Sequence, residues 1–134
     1  PFTAFLVAYF EKGDPYHCHG AKTARLLREK LGMSEDNFKL TFQSRFGPAK
    51  WIEPYTETTL RELGEAGYKN IAVITPGFIS DCVETLEEIA IEARETFIKA
   101  GGENFTTVPC LNSSPESVKL LAQLAHVELA GWIS

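Results

Sequence analysis

Cysteine is scarce in this chain and poorly placed for cross-linking. Cys18, Cys82 and Cys110 are odd in number, widely separated and without CxxC spacing. They argue for a reducing compartment, and against a disulfide framework or a zinc site. Long apolar runs are missing too: no window approaches the ~18 apolar residues that a membrane-spanning helix needs. The amino end has no basic stretch followed by an apolar run and a cleavage site, so no secretory leader is expected. Basic charge is also in short supply. The formal net charge is −5, and Glu29 interrupts the one short basic run, Lys22 to Lys30. Nucleic-acid surfaces need clustered basic side chains, so no nucleic-acid partner is expected. The run suits the solvated face of a helix. These absences together point to a cytoplasmic protein with at most peripheral membrane contact.

What is present is ordinary for a globular domain. A content of 44% hydrophobic and 23% charged residues over 134 positions suits one domain with a substantial core. Phe2–Phe10 is apolar and aromatic, and Gly13-Asp14-Pro15 ends it as a turn. Cys18–Leu31 has helical periodicity, with Ala21, Ala24, Leu27 and Leu31 on one side and Gly32 as the stop. Phe38–Phe42 reads as a short strand, and a loop with Gly47, Pro48 and Pro54 leads to a helix from about Thr56 to Ala66. Ile71–Ile74 is the clearest buried strand, β-branched and uncharged. A helix from about Ser80 to Ala100 follows and stops at Gly101-Gly102, and Phe105–Val108 is another short strand. A terminal helix starts near Pro115 and runs through Leu129. Strands alternating with helices predict an α/β fold: a single Rossmann-like domain, with a parallel sheet of about four strands flanked by helices.

The segment Pro76–Ile89 carries the most information. Pro76 and Gly77 break the preceding strand, Ser80 or Asp81 can cap the next helix, and Glu84 three residues after Asp81 approaches a capping box. Open α/β sheets place their binding sites where a strand ends in a tight turn that feeds a helix. At ~100° per residue, Val83, Leu86, Ala90, Ala93 and Phe97 form an apolar stripe, with Glu84, Glu88, Glu92 and Glu95 opposite. Pattern alone makes this acidic arc a solvated face. Glu84, Glu88 and Glu92 are nevertheless like charges at i, i+4 with no intervening lysine, which mildly disfavours a helix. His17 and His19 suit surface or capping roles better than metal binding, since no further ligands stand at metal spacing. Arg45, at the end of Thr41-Phe-Gln-Ser-Arg45, can clamp a carboxylate bidentately or make an ordinary surface ion pair. Trp51 suits a core plug or a wall on which a ligand stacks.

A series of blocks resembles the carboxy-terminal half of the ferrochelatases, which insert ferrous iron into a porphyrin. They are Lys12-Gly-Asp-Pro-Tyr-His-Cys18, Thr41-Phe-Gln-Ser-Arg-Phe-Gly47, Trp51-Ile-Glu-Pro-Tyr-Thr56, Pro76-Gly-Phe78, Asp81 to Ile89, Ala100-Gly-Gly102 and Pro109-Cys-Leu-Asn112. They stand in family order with family-like spacing over nearly the whole chain, in a form similar to proteobacterial enzymes that use protoporphyrin IX. The resemblance implies that residues 1–134 are the carboxy-terminal domain of an enzyme whose last-step heme chemistry yields protoheme. It implies that Glu84 faces a metal-binding histidine across a porphyrin cleft, with Glu88 and Glu92 lining a polar path and Asp81 at the helix entrance. Glu84 and Asp81 are then the expected catalytic groups, and Arg45, Trp51 and Phe78 are expected to line the porphyrin pocket. Imidazole with carboxylate suits borderline ferrous iron, and a histidine suits acceptance of the pyrrole protons. Iron is a substrate, so no cofactor is required. The family's cluster-containing members carry a cysteine group near the carboxy terminus; none follows Cys110, so no iron–sulfur cluster is expected.

The chain departs from that pattern twice. It lacks the amino-terminal half, which supplies much of the porphyrin pocket, so the isolated chain is expected to be inactive and to expose the face that meets its partner half. Thr3 stands at the position of the family histidine, within Pro1-Phe-Thr-Ala-Phe-Leu-Val-Ala8. A pair of compensating frameshifts accounts for this change. The family's Phe-His-Gly-Val-Pro-Arg-Arg can be encoded TTC CAC GGC GTT CCT CGT CGC. Loss of one C yields TTC ACG GCG TTC CTC GTC GC, which one later inserted base restores to frame, and this translates as Phe2–Ala8. Nucleotide sequence incompatible with the histidine frame refutes the idea. Two alternatives follow: a non-catalytic porphyrin- or metal-binding module, which Thr3 favours, and a generic flavodoxin-like binding domain with a solvated acidic face.

Overall fold

The computed structural model describes residue 13, residues 15–43 and residues 52–132. In chain order these form α1 (Tyr16–Lys30), α2 (Thr56–Glu65), β1 (Asn70–Val73), a π-helical segment α3 (Glu84–Ala93), its α-helical continuation α4 (Arg94–Lys99), β2 (Asn104–Thr107) and α5 (Pro115–Glu128). β1 and β2 pair in parallel, with Asn70 opposite Asn104 and Val73 opposite Thr107. The α3–α4 helix is the crossover between them, as a parallel pair requires. The α/β class is therefore seen directly. Two strands of the sheet lie among the described residues. Phe42 adds only an isolated parallel bridge to Tyr55, so the strand expected at Phe38–Phe42 is reduced to one residue. The apolar run 2–10 lies outside the described residues.

One face of this β-pair is packed. Ile71, Val73 and Phe105 meet a core of Leu60, Ile89, Ala93 and Phe97. Phe97 is fully buried and tilts against Phe105 with ring centroids 6.2 Å apart. The alternating exposure of Asn70–Val73 corrects the expectation of a strand buried on both faces: Ala72 is exposed and Ile74 is 42% exposed. Glycine closes three of the helices as expected: Gly32, Gly67 and Gly101 have φ of 66°, 90° and 110°, the left-handed region that other residues enter at a cost.

The long helix differs from its expected form. An α-helical winding over Ser80–Ala100 predicts Val83 and Leu86 on the buried stripe, yet they are 59% and 57% exposed. The buried residues are Thr85, Ile89, Ala93 and Phe97. The π-helical segment explains the change. An i→i+5 ladder turns roughly 80–85° per residue against ~100° in an α-helix, so four residues fall roughly 30° short of a turn rather than roughly 40° past it. The drift back over Thr85, Ile89 and Ala93 is reversed by the α-helical step to Phe97. Those four side chains thus share one face, and Leu86 turns outward.

Candidate functional site

The same winding moves the acids. Glu84, Glu88 and Glu92 each precede a buried residue by one position, so their row lies about a quarter turn from the buried stripe rather than opposite it. Glu84 and Glu88 are half-buried and Glu92 is exposed. The row flanks the core, along an edge of the helix that a neighbouring element can cover. Gln43 Nε2 donates to the Glu84 backbone oxygen at 3.3 Å. This ties the Thr41–Gln43 segment to the head of the row.

The entrance to α3 is held by a hydrogen-bonded knot. Asp81 N–H donates to Asn112 Oδ1 at 2.9 Å, and Asn112 Nδ2 donates back to Asp81 Oδ2 at 2.7 Å. Asn112 Nδ2 also reaches the Cys110 carbonyl at 3.1 Å, and Asn112 N–H donates to the Ile79 carbonyl at 2.9 Å. Asp81 Oδ1 accepts from Cys110 N–H at 3.3 Å and from the Thr85 hydroxyl at 3.1 Å. Thr85 Oγ1 in turn accepts from Cys82 N–H at 3.0 Å. Two amides of the turn that leads into the helix, Asp81 N–H and Cys82 N–H, are thereby satisfied, by Asn112 and by Thr85. This corrects the capping expectation: Asp81 and Glu84 form no reciprocal box, and the N-cap is Val83, with no side-chain cap. It also delays the helix, whose first residues would otherwise begin at Ser80.

The charges follow from these bonds. The Asn112 amide, then Cys110 N–H, holds the Asp81 carboxyl below its usual range. The Cys82 thiol, followed by its own backbone N–H, lowers Glu84. Burial pushes the Cys110 thiol up, and Thr75 Oγ1 lies 3.5 Å from its sulfur. At neutral pH the helix entrance therefore presents ionised carboxylates, placed where amide groups favour negative charge.

Asp81, Glu84, Glu88 and Glu92 thus share one helix and its entrance, and Phe78 sits half-buried in the turn before it. Thr3, Arg45 and Trp51 lie outside the described residues. Among the described residues, no three His, Cys, Asp or Glu side chains gather closely enough to hold a metal ion. The acids form a row, suited to passing a cation between carboxylate oxygens. His17, half-buried, stacks on Phe42 with centroids 5.7 Å apart, a packing role. Sequence reasoning missed Asn112, Thr85 and Gln43 as contributors. The usable signals were an asparagine beside a Ser-Ser-Pro turn, and a threonine three residues into a helix.

A sequence model of the family described as Ferrochelatase matches residues 5–129. The ferrochelatase of Agrobacterium fabrum is 59% identical over 126 residues, covering 94% of this chain and 37% of that protein. That of Rhizobium meliloti is 58% identical with the same coverage. The Polaromonas sp. protein is 58% identical over 120 residues, 90% of this chain and 33% of its own length. The chain thus spans little more than a third of the length of these curated relatives. By the family match over most of its length, the chain belongs to the ferrochelatase family.

Proposed function

We propose that this chain is the carboxy-terminal domain of an enzyme that inserts ferrous iron into protoporphyrin IX, the last step of heme biosynthesis. The observation that carries the reading is the row Glu84–Glu88–Glu92, flanking the core of a π-helix in a ferrochelatase-family domain. In the reaction, the porphyrin loses two pyrrole protons as Fe²⁺ takes their place. The carboxylates deliver the cation by exchange of oxygen ligands, and the family resemblance makes Glu84 the partner of the residue at position 3. A threonine hydroxyl accepts no proton at neutral pH, so a histidine there is the expected acceptor. Arg45, Trp51 and Phe78 line the porphyrin pocket in this proposal. Iron is consumed as substrate, and neither a resident cofactor nor an iron–sulfur cluster takes part.

The remaining length of the relatives supplies the other wall of the cleft. Exposed apolar side chains on α5, among them Val118, Leu121, Leu124 and Val127, support a missing covering element. No helix among the described residues is long and apolar enough to cross a membrane; the proposed enzyme is cytoplasmic, in at most peripheral membrane contact. Zinc or iron insertion is to be assayed with the chain as given, with Thr3→His, and with a full-length chain bearing either residue. Activity only when the histidine and the remaining length are both present supports the proposal. Porphyrin binding without insertion in every form favours a non-catalytic binding module, the reading to which Thr3 itself points.

A further inference from the structure

We infer that Asn112 is a positioning residue for metal insertion, setting the start of α3 so that Glu84 stands at the head of the acidic row; the inference rests on the proposed insertion activity. One short side chain makes two of the contacts that join the loop after β2 to this helix, and one more within the loop. It accepts from Asp81 N–H at 2.9 Å, donates to the Asp81 carboxylate at 2.7 Å, and donates to the Cys110 carbonyl at 3.1 Å. Its own N–H closes the knot on Ile79 at 2.9 Å. The φ of 50° at Asn112 is the left-handed conformation that asparagine tolerates better than most side chains. Position and chemistry therefore both select asparagine.

The reach to Glu84 runs through Asp81. Asp81 Oδ1 accepts from Thr85, whose hydroxyl accepts from Cys82 N–H, and the Cys82 carbonyl in turn accepts from Thr85 N–H at 3.1 Å and Leu86 N–H at 2.9 Å, closing the turn that carries Glu84. Removing the Asn112 side chain leaves the Asp81 amide and Oδ2 to water and lets the first turn of α3 change its register. A change of register there turns the whole row, because Glu88 and Glu92 follow Glu84 on the same ladder. Outer partners that orient ligating carboxylates typically change metal affinity or activity by about 10–100-fold when mutated.

The test uses a full-length chain carrying Thr3→His, compared with the same chain also carrying Asn112→Gly or Asn112→Asp. Glycine suits the φ of 50°, so Asn112→Gly removes the amide without straining the backbone. For Asn112→Gly, kcat for zinc insertion should fall about 10–100-fold. Porphyrin affinity, read by tryptophan quenching, should stay within about twofold, and amide exchange across residues 81–89 should quicken. Asn112→Asp sets a second carboxylate against Asp81 and should fall further than Asn112→Gly at pH 8. A purely space-filling role predicts the reverse order, because glycine removes more atoms. That reverse order overturns the inference, as does an Asn112→Gly protein with the parent's kcat and exchange rates. A parent chain that exchanges slowly across 81–89 but inserts no metal refutes the insertion reading instead; quickened exchange in Asn112→Gly then upholds the knot alone.

Discussion

Gly102→Ala is the substitution whose cost follows most directly from the packing. The backbone there is not left-handed, so glycine is present for space rather than for conformational freedom. A Cβ at Gly102 would coincide with the Cε1 and Cδ1 side of the Phe97 ring and stand 2.5 Å from Cζ. The ring has no exit: Phe97 is 0% exposed, with Phe105 against it. The backbone cannot retreat either, because Gly102 N–H donates to the Phe97 carbonyl at 3.0 Å. Overpacking of a filled core costs about 1–3 kcal/mol, and a site hemmed in on both sides belongs at the upper end. With m of about 2 kcal/mol/M, a loss of about 3 kcal/mol lowers the urea midpoint by about 1.5 M. Urea unfolding of a full-length chain, followed by far-UV circular dichroism, reads this shift. Phe97→Leu removes the ring atoms that the methyl strikes. The double variant should therefore be more stable than the sum of the singles by about 1 kcal/mol. A midpoint unchanged by Gly102→Ala, or strict additivity with Phe97→Leu, refutes the packing account.

Thr85→Val keeps the shape of a side chain only 6% exposed but removes the hydroxyl that Cys82 N–H and Asp81 use. It should cost about 1–2 kcal/mol in thermal or urea unfolding, while Thr85→Ser retains most of the stability; equal losses for the two would show that the hydroxyl is idle. Acid should weaken the fold at the same place. Asp81 and Glu84 titrate below their ordinary values in the folded chain, so each contributes stability that is present above the unfolded values of about 4 and lost as pH falls through the lowered folded values. The urea midpoint should therefore decline below about pH 4, and less steeply in Asp81→Asn. Parallel decline in both proteins would contradict the assignment to Asp81.

Much of the architecture is legible from local chemistry. Gly32, Gly67 and Gly101 mark helix ends because they adopt positive φ, and Pro115 marks a helix start just after the Ser114 cap, whose side chain accepts from Ser117 N–H. Ile71, Val73 and Phe105 announce strands because β-branched and aromatic side chains suit a half-buried pleat. The π-helical winding left no such trace. It is set by how Thr85, Ile89, Ala93 and Phe97 meet a core built from distant elements, and a 100° projection places Leu86 inside and the acids opposite. Gly101-Gly102 likewise reads as a helix stop, whereas Gly102 also answers to the Phe97 ring that lies over it. The Asp81–Asn112 knot joins residues 31 apart, beyond the reach of any local pattern. The acidic residues themselves were legible, and family resemblance supplied their meaning.

The central claim is that Glu84 heads a row of carboxylates that handles the metal. It is tested most directly by ferrous or zinc insertion into protoporphyrin IX in a full-length chain carrying Thr3→His, with and without Glu84→Gln. A group that binds the metal or moves a proton in the transition state typically contributes 10²–10⁴-fold, so Glu84→Gln should lower kcat by at least about 100-fold with porphyrin binding intact. Insertion at the parent rate in the Glu84→Gln chain would contradict the account.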